Sequence, residues 1–204
     1  MALSKIDVAN MLTGATPVAN GGTGLTSGTT NQFLKFTGST TLASAADNAG
    51  ISMAQQWRLT TSATGDLEPI ASNWEINDNT GYGDIGSDMT QSSGIFTFPS
   101  TGIYLITFVC IWQLSGDTRW AEAQIRTTTN NSTYASANET YHHIAQAQSD
   151  STYSSATGHI IFDVTDTAQC KVQFRSRVNN DSTSTYGSST VQSTGASFIR
   201  LGDT

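Results

Sequence analysis

From about residue 51 onward the apolar positions fall in short runs with a period of two, separated by clusters of Gly, Asn, Asp, Ser and Pro. That is the pattern of β-strands joined by turns. The strongest runs are Gly94–Phe98 and Ile103–Trp112, joined by Pro99-Ser100-Thr101-Gly102. Pro has no ladder N–H to donate and Gly tolerates positive φ, so this joint reads as a tight turn inside a sheet. In the second run the even positions are Tyr104, Ile106, Phe108, Cys110 and Trp112, and the odd positions are Ile103, Leu105, Thr107, Val109 and Ile111. Strand side chains alternate between faces, so both faces of this strand need cover. A second sheet covers one. Leaving the odd-face aliphatics in water forfeits roughly 1.5–3 kcal/mol each, so a second copy of the chain is expected to cover the other. The apolar run is about half the ~20 residues that a membrane-spanning helix needs, which excludes that reading.

Weaker runs flank this pair. Gln55–Thr61 carries Trp57 and Leu59, and Ala71–Ile76 carries Trp74 and Ile76. Arg119–Thr127 sets Ala121, Ala123 and Ile125 on one side and Trp120, Glu122, Gln124 and Arg126 on the other, as a half-exposed strand does. Ala137–Gln148 is a weaker strand, Ser149–Ser155 a polar turn and Ala156–Val164 a further strand. Ala168–Val178 points Cys170, Val172, Phe174 and Val178 inward and Lys171, Gln173, Arg175 and Arg177 outward. Asn179–Gln192 reads as a long polar loop and Gly195–Leu201 as a closing strand. With no convincing helix, the class is all-β, an antiparallel sandwich over residues 51–204.

Residues 1–50 differ. They are rich in Gly, Thr, Ser and Ala, with scattered apolar positions at Leu3, Ile6, Val8, Leu12, Val18, Leu25 and Phe33. Such a segment buries too little apolar surface to offset its own ordering entropy. It is expected to be an extended arm that orders against a partner, with those seven residues as its anchors.

Composition narrows the function. The net charge is −7 and no Lys/Arg cluster occurs, which argues against nucleic acid and against anionic membrane surfaces. Cys110 and Cys170 both sit in apolar strand runs and are expected as buried free thiols, since free Cys behaves as a small core hydrophobe. A disulfide would need their strands to be neighbours. Met1–Asn10 lacks the basic start and apolar core of a signal peptide, so synthesis in a cytoplasm is expected.

Chemistry-bearing patterns are sparse. There is no Gly-x-Ser-x-Gly, His-Glu-x-x-His or Cys-x-x-Cys. His142 and His143 are adjacent, so strand alternation predicts opposite faces for them and no shared metal within one subunit. Three copies of one His meeting on a threefold axis would be the alternative. Asn77–Asp88 offers Asp78, Asp84 and Asp88 as hard oxygen ligands for calcium. The spacing fits no calcium loop, however, and Asn, Asp and Gly are also plain turn residues. Trp57, Trp74, Trp112 and Trp120 are expected in core or interface, while Tyr134, Tyr141, Tyr153 and Tyr186 are the candidates for stacking on a glycan. No catalytic, cofactor-binding or metal-binding residue is assigned, and the chain is not expected to be an enzyme.

Two stretches carry resemblances. Phe96, five residues, then Gly102-x-Tyr104-x-Ile106-x-Phe108 resembles the signature of the complement globular-head and tumour-necrosis-factor superfamily, with Ile106 in place of the usual aromatic and Asp84 where that pattern allows Asn or Asp. The resemblance implies a ten-strand jelly roll assembled as a homotrimer. One face of the strand after the Gly-x-Tyr turn would then point toward the threefold axis, with Ile103, Leu105, Thr107, Val109 and Ile111 at the interface, and the last strand would be central to the inner sheet. Thr16-Pro17-Val18-Ala19-Asn20-Gly21-Gly22-Thr23-Gly24, followed by Gln32-Phe33-Leu34-Lys35-Phe36 and a turn containing Gly38, looks like a repeat of tailed-phage fibre proteins. It occurs once, so no long shaft is expected.

Together these imply a structural virion protein of a tailed bacteriophage. The expected form is a trimeric capsid decoration or cement protein on the outer surface of the capsid, its arm bound to the major capsid protein. The alternative is a receptor-binding tail-fibre tip, held by tail proteins and recognising host surface glycans.

Overall fold

The computed structural model describes Leu25 and residues 28–30, 32–38, 41–45 and 50–204. The chain divides into two compact units, Met1–Ala49 and Gly50–Thr204. Of the arm anchors, Leu3, Ile6, Val8, Leu12 and Val18 lie outside the described residues, while Leu25 and Phe33 lie within them. In the first unit β1 (Phe33–Phe36) pairs antiparallel with β2 (Leu42–Ala45), Phe33 opposite Ala45 and Phe36 opposite Leu42. Phe33, Leu34 and Phe36 are all more than half exposed on this hairpin.

The second unit holds twelve strands: β3 (Met53–Leu59), β4 (Thr61–Thr64), β5 (Trp74–Ile76), β6 (Thr90–Ser92), β7 (Ile95–Thr97), β8 (Gly102–Leu114), β9 (Thr118–Thr128), β10 (Ala135–Ile144), β11 (Thr152–Val164), β12 (Lys171–Val178), β13 (Ser184–Ser188) and β14 (Gly195–Gly202). No helix occurs among the described residues. One sheet runs β10-β9-β12-β7-β6. The other runs β4-β13-β8-β14-β3-β5, with β11 along the far side of β8. All pairings are antiparallel, and the two sheets make a sandwich. The terminal strand β14 lies between β3 and β8, inside its sheet.

The core follows from the period-two pattern. Tyr104, Ile106, Phe108, Cys110 and Trp112 project from β8 into the sandwich with essentially no exposure. Phe96 of β7 is the hub, with ring centroids 5.2 Å from Trp57, 5.3 Å from Trp74, 5.4 Å from Phe174 and 5.4 Å from Phe198. Edge-to-face pairs of this kind add about 0.5–1.5 kcal/mol each beyond area burial. Trp112 Nε1 donates to Ser176 Oγ at 2.9 Å, and that hydroxyl meets Thr185 Oγ1 at 2.6 Å, so these three buried polar groups are paired. Cys110 and Cys170 are both buried free thiols.

Several expectations need correction. The 99–102 turn does not lie inside a sheet: β7 pairs with β6 and β12 and β8 with β11, β13 and β14, so the turn carries the chain from one sheet to the other. Gly102 adopts φ 143°, and a Cβ there would meet Arg200 Nε and the Gly202 carbonyl at 2.5 Å, so only glycine fits. Ser149–Ser155 is not wholly a turn, because β11 begins at Thr152 and stays paired with β8 to Val164. Within Asn179–Gln192 lies β13, which pairs with β4 and β8; the head has twelve strands rather than ten.

Candidate functional site

The side chains that strand alternation turns away from the core of the longer sheet form one continuous face. Register sets four of them in each of three rows. Ala54, Ile199, Leu105 and Ile161 stand side by side across β3, β14, β8 and β11. The next row is Gln56, Ser197, Thr107 and His159, and the third is Arg58, Gly195, Val109 and Thr157. Ile103, opposite Asp163, and Ile111, opposite Ser155, extend β8 at both ends. The sequence-derived set Ile103, Leu105, Thr107, Val109 and Ile111 therefore shares a single face, and each member is half-buried. Ile161, which sequence reasoning did not assign to this face, is its most prominent apolar residue at 68% exposure. Its pairing with Leu105 was the missing information, and register between distant strands is not written locally.

The face has hollows at both ends. One, of about 290 Å³, is lined by Ile111, Tyr153, Ser154, Ser155 and Tyr186, with the two tyrosine rings edge to face at 5.6 Å. The other, of about 280 Å³, is lined by residues including Ala54, Gln56, Tyr82 and Ile199. Arg58, on the same face, is itself buried: its guanidinium bonds Glu75, Asn77 and Asp78. This fastens the start of the Asn77–Asp88 loop to β3. The loop's carboxylates are accordingly divided. Asp78 pairs with Arg58, whereas Asp84 and Asp88 accept from the Gln55 amide at 3.4 and 2.8 Å. Among the described residues no group of three or more His, Cys, Asp or Glu is placed to hold a metal ion.

The histidines also depart from expectation. A bulge between His142 and Ile144 breaks strict alternation in β10. The rings of His142 and His143 lie side by side, 5.3 Å between centroids and 12° between planes, rather than on opposite faces. His142 Nδ1 lies 2.6 Å from Ser154 Oγ, tying β10 to β11. His159 stands on the outward face beside Thr107.

On the opposite side of the molecule, the solvent face of the shorter sheet carries a polar lattice. Register places Tyr141, Glu122 and Arg177 in a row across β10, β9 and β12. The adjacent row is Glu139, Gln124 and Arg175. The half-exposed strand expected at Arg119–Thr127 is in fact largely covered, Glu122 and Gln124 being 2% and 4% exposed. Their neighbours' long side chains lie over them. Glu122 accepts from the Tyr141 hydroxyl at 2.8 Å, from Arg177 at 3.4 Å and from the Gln124 amide. Its carboxylate pushes the Tyr141 phenol up to about 12. Glu68 pairs with both Arg175 and Arg177, and the Arg177 guanidinium sits 5.6 Å from the Trp120 ring centroid. Of the four tryptophans, Trp57, Trp74 and Trp112 are core residues as expected, and Trp120 borders this lattice.

No protein-family model matches the chain, and no curated protein matches it. Solved structures do. The chain is similar to the Eiger TNF of S. frugiperda, with a TM-score of 0.56 at 12% identity over 76% of this chain and 96% of that one. It is also similar to murine APRIL at pH 8.5, with a TM-score of 0.51 at 13% identity over 73% of this chain and 98% of that one. At such identities the likeness is one of fold, and it is to a tumour-necrosis-factor-type jelly roll.

Proposed function

We propose that the protein is a structural virion protein of a tailed bacteriophage: a homotrimeric capsid decoration or cement protein whose N-terminal arm binds coat subunits at the outer surface of the capsid. The observation that carries the self-association is the aliphatic outward face centred on Leu105, Val109, Ile161 and Ile199, which no element of the second unit covers. The anchoring role rests on the arm. Its fibre-type repeat resembles phage structural proteins, and its hairpin leaves Phe33, Leu34 and Phe36 exposed. A lone two-stranded hairpin is marginal in water, so such residues are suited to laying against a partner.

The mechanism is additive burial. One arm binds weakly, and three arms joined through one trimeric head bind together at high effective concentration. No bond is made or broken in this role. The competing location is the tail, where the same trimer would serve as a receptor-binding fibre tip that recognises host surface glycans; the fibre-type repeat favours it. Copy number per virion separates the two. Quantitative mass spectrometry against the coat protein is expected to return hundreds of copies, which only a shell can hold. A few tens or fewer would overturn the capsid reading in favour of the tail.

A further inference from the structure

The solvent face of the shorter sheet carries a groove of about 380 Å³ lined by Trp120, Glu122, Tyr141 and Arg177. That volume lies at the lower end of small-ligand sites, about 300–1,000 Å³. We propose that this groove binds a neutral hexopyranose unit of a glycan. The inference does not depend on where in a virion the protein sits.

The groove matches the chemistry of such a sugar. A hexopyranose has an apolar C–H face and a rim of adjacent hydroxyls. The Tyr141 ring is 58% exposed, yet its orientation is fixed, because its hydroxyl is held by Glu122 at 2.8 Å and Glu139 at 3.3 Å. A ring pinned at its tip offers its flat side to a ligand at little entropic cost. Beside that ring lie an exposed acceptor, the Glu139 carboxylate that also meets the Tyr141 hydroxyl, and a donor fork, the partly exposed Arg177 guanidinium; the buried Glu122 carboxylate holds the ring and the fork in place. Neighbouring hydroxyls satisfy both at once, one donating to the carboxylate and the next accepting from the guanidinium.

Charge selects the class. Asp66, Glu68, Glu122 and Glu139 stand with Arg175 and Arg177, so carboxylates outnumber guanidinium groups. An anionic ligand meets that excess. A cation is opposed by Arg177, which already occupies the approach to Trp120 at 5.6 Å. A neutral polyol meets neither obstacle. The lining residues come from three neighbouring strands, β9, β10 and β12, rather than from loops.

The test titrates the full-length protein by saturation-transfer difference NMR. The probes are the methyl glycosides of glucose, galactose, mannose and N-acetylglucosamine, with methyl sialoside as the anionic control. At least one neutral glycoside is expected to bind, with Tyr141→Ala and Trp120→Ala each weakening it tenfold or more. Tyr153→Ala, on the opposite sheet, is expected to leave it unchanged. Circular dichroism of each variant checks the fold, and should Trp120→Ala misfold, Tyr141→Ala carries the test because its ring is largely exposed. Absence of binding by every neutral glycoside would overturn the proposal. So would tighter binding of the sialoside than of any neutral sugar, or binding that survives both substitutions. None of these results bears on copy number or on arm binding, so the virion reading stands or falls separately.

Discussion

Cys110 lies at the centre of the sandwich with Ser176, Thr185 and Thr194 around its sulfur, and burial pushes its thiol from the ordinary 9.0 up to about 12. A group whose pKa is raised in the folded state stabilises fully below its unfolded value, and that stabilisation is lost as pH rises toward the folded one. Between pH 9 and 12 this one thiol is therefore expected to cost the fold about 1.4 kcal/mol for each pH unit. Urea unfolding at pH 8 to 10.5 checks it: Cys110→Ala should show a shallower alkaline loss than the parent, and equal slopes would mean that the thiol ionises freely in the native state. Other residues were less legible in the sequence than this one. Glu122 and Gln124 stand at outward positions of an alternating strand, and the pattern counts outward as wet. Their burial comes from Tyr141, Arg175, Arg177 and Glu139 on neighbouring strands, whose lengths only matter once register is known. His142 and His143 were misread for a related reason. A bulge is a mismatch between two strands, invisible in either alone.

At the scale of the strand, β8 was the most legible element, since thirteen residues that are apolar at nearly every odd and even position demand cover on both faces. β13 was the least. Its sequence, Ser184-Thr185-Tyr186-Gly187-Ser188, has no apolar alternation, and it is a strand because β4 and β8 offer it backbone partners. The same holds for the first residues of β11, polar but paired with the end of β8. The outward row of β8 carries the assembly prediction. Leu105→Asp places a carboxylate where a second copy would otherwise remove water, at a cost of several kcal/mol per buried ion. Because Leu105 is half-exposed within one chain, the fold itself is expected to survive. Sedimentation velocity should then report folded monomers in place of trimers. A stable native trimer would mean that this face is not the interface.

For the whole molecule, the division at Ala49 and Gly50 allows the two roles to be tested apart. Deletion of residues 1–49 is expected to leave a soluble, folded trimer that no longer sediments with phage particles. Retained particle binding would refute the anchoring role. The all-β class and sandwich were readable because turn clusters and period-two runs recur over the second unit. Which strands pair was not readable, since antiparallel partners such as Ala54 and Ile199 are separated by almost the whole head; the resemblance around Gly102 and Tyr104 implied only that the last strand is central to its sheet.

That last pairing bears on how the molecule is made. Residues leave a ribosome in order, yet β14, which follows every other strand of the second unit, is the strand through which β3 is joined to β8. Until Gly195–Gly202 has been synthesised, the longer sheet has an empty lane at its middle, with Trp57 and Phe108 lacking Ala196 between them, and Gln55 and Ile106 lacking Phe198. The head is thus closed by its final strand, as a drawstring closes a bag. A chain cut short of Gly195 lacks the strand that carries Ser197 and Ile199 into the outward face between β3 and β8.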